Sequence, residues 1–177
     1  HALDHLFPRH YMPPPLAQAA AAAAFPDWER VADACAHCDF AAAAQTLPGL
    51  CRTDMEAVAM LTLNDNRPES PFAVVNAALC CAKTPGAPAA ALDERDERLC
   101  QICDYLWLLL TGLRKLPRVP RSLLYCPCVR TPGRAPPRVG ERLVAPGFVY
   151  ARTQWDVAKR AAEQSRGTLF VLHECWG

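Results

Sequence analysis

Residues 93–117 read DERDERLCQICDYLWLLLTGLRKLP, and no other stretch restricts the possible folds as strongly. Leu99, Ile102, Cys103, Leu106, Leu109, Leu110, Leu113 and Leu116 recur at three- and four-residue spacing. That is the period of a helix with one buried side. Acids crowd its start, and Arg114 and Lys115 stand at its end, each complementing the partial charge of the nearer helix terminus. Pro117 closes it. A long helix with an unbroken apolar stripe must be covered by other elements.

Upstream, FPDWERVADACAHCDFAAAAQTL (25–47) predicts one helix, with Pro26 and Asp27 at its start and Pro48 and Gly49 at its end. RTDMEAVAMLTL (52–63) predicts a second, with Thr53 as N-cap and Glu56 completing a capping box. SPFAVVNAALCCA (70–82) predicts a third, capped by Ser70 with Pro71 in its first turn, and KTPGAPAA (83–90) breaks it. Residues 1–26 form a Pro- and Ala-rich lead, extended at its three prolines and helical in its alanine run, expected to be peripheral. Residues 27–50 read as a helical extension and 51–117 as the helical part of a domain.

The texture changes after Pro117. SLLYCPCV (122–129), ERLVAPGFVYA (141–151) and GTLFVLHECW (167–176) are short apolar runs bounded by Pro and Gly, read as strands. TQWDVAKRAAEQSR (153–166) is a helix between the last two. Helices first and a small, mostly antiparallel sheet over 118–177 predict an α+β fold. Nineteen basic and 18 acidic side chains leave no field to hold nucleic acid or an anionic membrane. No apolar run is long enough to span a bilayer, which predicts a soluble protein. The chain opens on His1 with no signal-like segment, the mark of a mature chain or an excised piece. Its ten cysteines fall partly inside helical patterns, predicting reduced thiols in an intracellular, cytoplasmic protein; their even number keeps a disulfide framework open.

AVAMLT (57–62), VVNAAL (74–79), LLLTGLRKLP (108–117), LLYCPCV (123–129), the run from Gly140 to Ala162, and GTLFVLHECWG (167–177) follow one another in an order that resembles the arginine-specific mono-ADP-ribosyltransferases. The likeness covers roughly residues 54–177. It implies an ADP-ribosyltransferase-like fold, possessing only part of the family's sheet, and a cleft for a nicotinamide dinucleotide. It also implies that the chemistry is gone. The family's phosphate-gripping arginine falls on Cys126 and the following glycine on Pro127. The first serine of its Ser-Thr-Ser turn falls on Tyr150, among Val149, Ala151 and Arg152, with only Phe148 kept. The family's Glu-x-Glu segment is expected downstream of the last strand, past Gly177, and Glu174 stands too early to replace it.

The resemblance therefore implies a non-catalytic protein-interaction or structural module of a larger chain or assembly, without a cofactor. Two alternatives are an active NAD-dependent transferase completed by residues outside this chain and a zinc-stapled binding module. For the latter, Cys35 with Cys38 and Cys100 with Cys103 are metal-ligand candidates if two helices bring them together, with His37 or Cys51 as substitutes; on helices, the same spacing also suits core packing. Cys126 and Cys128 lie on one face of a strand, whereas adjacent Cys80 and Cys81 diverge on a helix. His173 is a candidate base for a Cys126 nucleophile if their strands are neighbours. Arg130, Arg134, Arg138 and Arg142, in the proline-stiffened loop VRTPGRAPPRVGERL, form a candidate interaction loop for an acidic partner.

Overall fold

The computed structural model describes residues 7, 10–25, 28–47, 49–62, 70–80, 89–117, 123–128, 140 and 147–173. Their elements run α1 (Leu16–Ala22), α2 (Trp28–Ala36), α3 (Ala41–Thr46), α4 (Arg52–Thr62), α5 (Pro71–Cys80), α6 (Ala89–Lys115), β1 (Leu124–Cys128), α7 (Trp155–Gln164) and β2 (Thr168–Leu172). The fold is α+β. The chain forms two compact units, His1–Pro117 and Arg118–Gly177.

In the first unit α6 is the post against which α1, α4 and α5 pack. Its buried stripe is Ile102, Tyr105, Leu106, Leu108 and Leu109, turned slightly from the leucine line of the sequence because Tyr105 belongs to it. The Tyr105 ring meets Phe25 edge to face at 4.8 Å. Its hydroxyl donates to the Ala57 carbonyl of α4 at 2.9 Å, which makes complete burial of a phenol affordable. Burial, helped by nearby Cys35, raises the phenol's pKa and keeps it a donor.

Helices α4 and α6 run antiparallel, with Asp54 near the start of α4 beside Lys115 at the end of α6. The buried Asp54 carboxylate accepts the Cys51 backbone N–H at 2.9 Å and Lys115 Nζ at 2.5 Å. Asp54 thus reaches back to the N-cap position at Cys51, so the cap lies two residues before the expected Thr53. Glu56, assigned to the capping box, instead pairs with Arg52 at 2.7 Å. Gly112 makes the approach possible: a Cβ there would lie 2.8 Å from the Asp54 carbonyl oxygen.

The alanine lead is not peripheral. Ala19 and Ala20 are fully buried, and Tyr11 packs on Trp107 at 6.0 Å. Side chains this small let α1 come close to its neighbours. The helix stops without Gly or Pro: Ala24 adopts a left-handed φ of 50°, its N–H bonds Ala21 O at 3.0 Å and the Phe25 N–H bonds Ala20 O at 3.5 Å. This is a Schellman turn, and it swings Phe25 onto Tyr105. The single helix expected over 25–47 is two, because Asp39 Oδ1 accepts the Ala41 N–H at 3.0 Å and starts α3 anew. Ser70 caps α5 as expected, through the Ala73 N–H at 3.3 Å. Of the expected break over 83–90, residues 83–88 lie outside the described residues, while Ala89 and Ala90 already belong to α6, which starts before the acidic run.

In the second unit β1 and β2 pair antiparallel, with Leu124 opposite Leu172, Cys126 opposite Phe170 and Cys128 opposite Thr168. On the other edge of β1, Tyr125 and Arg152 exchange two backbone hydrogen bonds of 2.8 Å. Tyr125 and Pro127 therefore direct their backbone groups to that edge, while residues 124, 126 and 128 serve β2. Pro127 costs the β1–β2 ladder nothing but has no N–H to extend pairing on the Arg152 side. Of the strand expected over 141–151, residues 147–151 are described and form none; the bridge falls one residue later, at Arg152. Helix α7 covers the sheet with buried Ala158 and Ala162 and ends in a second Schellman turn, with Arg166 at φ 48°. Gly167 follows it because a Cβ there would collide with the Cys128 carbonyl.

Two expectations follow. Gly112→Ala gains up to about 1 kcal/mol of helix propensity but overpacks the α4 contact at about 1–3 kcal/mol; urea unfolding should show a net loss, whereas Ala24→Gly, relieving a left-handed alanine, should gain about 0.5–1 kcal/mol. Although burial alone would raise the pKa of Asp54, the Lys115 and Cys51 hydrogen bonds hold it below the carboxylate's usual value. Its contribution is therefore complete above the unfolded pKa and lost as pH falls through the folded one. Lys115→Met should lose about 1–2 kcal/mol at neutral pH, the charged hydrogen bond discounted for partial exposure of the lysine; its denaturation midpoint should then fall less steeply than the parent's below about pH 4.

Candidate functional site

Alternation along β1 places Leu124, Cys126 and Cys128 on one face and Tyr125 and Pro127 on the other. Cys126 is 4% exposed and Cys128 half-buried, and their sulfurs lie 3.4 Å apart. Burial pushes the Cys126 thiol up to about 12, with the hydrogen bond and charge of Cys128 adding to the effect. Cys126 is thus a neutral thiol near pH 7. It offers none of the planar charged donors that a guanidinium turns toward a phosphate.

The turn that the resemblance equates with the ribose-binding hydroxyls enters β1's neighbourhood through the Tyr125–Arg152 bridge. Phe148 is half-buried, Val149 is 50% exposed and Tyr150 37% exposed. The Arg152 guanidinium lies 5.0 Å from the centre of the Tyr150 ring, a cation–π contact. Its Nε is buried without a hydrogen-bond partner. On β1's Tyr125 face, Trp155 from the first turn of α7 meets the Tyr125 ring edge to face at 5.2 Å and stays 45% exposed. The surface around this turn is aromatic and aliphatic, with a guanidinium laid over one ring.

Of the sequence-derived positions, Cys126, Pro127, Tyr150 and Arg152 are thus joined through β1 and its bridge. Arg130, Arg134, Arg138 and Arg142 lie outside the described residues. The proposed approach of His173 to Cys126 is not made: although the strands are neighbours, Phe170 stands opposite Cys126, and His173 lies exposed, one residue past the end of β2. Cys35 is buried with its sulfur turned 4.0 Å from the Glu56 carbonyl, and Cys38 is exposed with its sulfur on the Ala34 carbonyl at 3.4 Å. Cys100 is exposed and Cys103 half-buried on α6. Among the described residues no three His, Cys, Asp or Glu side chains converge on a metal position. The Tyr125–Trp155 contact went unread in the sequence; its only trace is an aromatic on a strand and another at the first residue of the helix that covers it.

Family models, curated proteins and solved structures were compared with the chain, and none matches it.

Exposure and pKa together predict the order of thiol modification. With iodoacetamide at about pH 8, exposed Cys38, Cys51 and Cys100 should react first and Cys126 last, with Cys126 accelerating as pH approaches its pKa; peptide mass spectrometry over a pH series reads this directly.

Proposed function

We propose that the chain is a non-catalytic ADP-ribosyltransferase-like module that works by binding a protein partner within a larger chain or assembly. The observation that carries this reading is the state of Cys126. Where the resemblance puts the phosphate-gripping arginine stands a buried thiol, held neutral and engaged with Cys128. Losing a charge-assisted phosphate contact costs about 1.5–3 kcal/mol of binding, enough to weaken a dinucleotide roughly ten- to hundredfold. The turn residue that would hold the ribose is Tyr150, whose ring is occupied by Arg152. A bulky phenol under a guanidinium fills space that a serine hydroxyl would leave to a sugar. The exposed Val149, Tyr150 and Trp155 are instead apolar or aromatic, and Tyr and Trp are among the side chains that carry most binding energy at protein interfaces.

The absence of a helix long and apolar enough to cross a membrane, among the described residues, fits a partner met away from the bilayer interior. Calorimetry and thermal unfolding with nicotinamide dinucleotide test the reading. At millimolar dinucleotide, neither heat of binding nor a rise in Tm is expected; a rise would favour the transferase completed from outside this chain. Tyr150→Ser combined with Cys126→Arg should still cleave no dinucleotide, and cleavage by the double variant would overturn the proposal.

A further inference from the structure

We propose that Cys126 and Cys128 form a dithiol site on β1 that takes up trivalent arsenicals and chemically similar metalloids. This rests on the strand's thiol geometry and is independent of the ADP-ribosyltransferase-like reading. The two sulfurs share one face at 3.4 Å, already in contact. Three ways of joining them differ in the separation they require. A disulfide needs the sulfurs to close to about 2.05 Å, and the i, i+2 spacing of a strand sets the Cα atoms about 6.6 Å apart, at the wide end of what a disulfide spans. Two thiolates on tetrahedral zinc, each bond about 2.3 Å, lie about 3.8 Å apart. A pyramidal centre with bonds of similar length and angles near a right angle holds them about 3.3 Å apart by the same construction. The observed separation matches the last.

Proton balance favours the same ligand. Zinc requires both thiols to surrender protons to solvent and leaves charge on a buried sulfur, which burial at Cys126 opposes. An organoarsenic(III) oxide reacts otherwise: the As=O bond breaks, two As–S bonds form, and both thiol protons leave on the oxygen as water. Arsenic stays trivalent, nothing is oxidised, and the product is neutral. Half-buried Cys128, opposite exposed Thr168, supplies the entrance, and Cys126 closes the chelate behind it. The sulfurs of Cys35 and Cys38, by contrast, are turned to carbonyls on different helices.

The test uses the full chain, reduced with a phosphine and titrated with substoichiometric phenylarsine oxide. Trypsin releases residues 122–130, SLLYCPCVR, in which Cys126 and Cys128 are the only thiols. The expected result is one phenylarsenic group, with loss of two hydrogens, on this peptide before any other. Cys128→Ser, at the more exposed position, should weaken uptake by at least about tenfold because the second bond of the chelate is lost. Arsenic appearing first on the peptides bearing Cys35 and Cys38 or Cys100 and Cys103, or a Cys128→Ser titration that overlays the parent's, would overturn the proposal. Should Cys126→Ser disturb folding by circular dichroism, the Cys128→Ser titration and the peptide map decide the matter.

Discussion

The first unit depends on how closely α4 can approach α6. That distance is set where Gly112 meets the backbone of Asp54, and a single carboxylate then ties the start of one helix to the end of the other. Asp54 satisfies an N-terminal donor of α4, faces that helix's positive end and neutralises the lysine at α6's negative end. With the two axes fixed, the Tyr105 hydroxyl reaches Ala57, and its ring is presented to Phe25 at the end of α1. The buried polar groups of this unit therefore act as gauges of spacing. Each is usable only if the apolar contacts beside it are in place.

What could be read in advance was whatever periodicity or a local cap encodes. The stripe of α6, the Ser70 cap and the alternation of β1 are properties of neighbouring residues, and they were legible. Interactions over long sequence separations were not. Thr53 is a better N-cap by residue type than Cys51, but Asp54, held by Lys115 far along the chain, reaches back to the Cys51 N–H and α4 starts there. The alanine run looked inert because alanine offers little apolar area, yet its small size is what admits α1 to the core. The ends of α1 and α7 were hidden for another reason: Ala24 and Arg166 occupy a conformation usually marked by glycine, and the glycine at 167 serves a contact with Cys128 instead.

At the candidate site, the sequence named residues that β1 and its bridge bring together, but not what each touches. The Cys-Pro-Cys spacing gave a shared face. That the sulfurs touch, and that one is buried and the other half-open, requires the strand to be paired and covered. Likewise Tyr150 was read as a lost hydroxyl, whereas its ring is the platform for Arg152, whose backbone is held by β1.

Pro127 gives this sheet a direction of growth. With its ring nitrogen turned toward the Arg152 side, β1 cannot act as a continuous template there, and any segment arriving along that border meets a missing donor after one bonded residue pair. The outer border of β2 carries no such interruption: residues 168–172 contain no proline. Among the described residues, pairing on the Arg152 side of β1 thus ends at Tyr125, and the cause is one imino acid near the end of that strand.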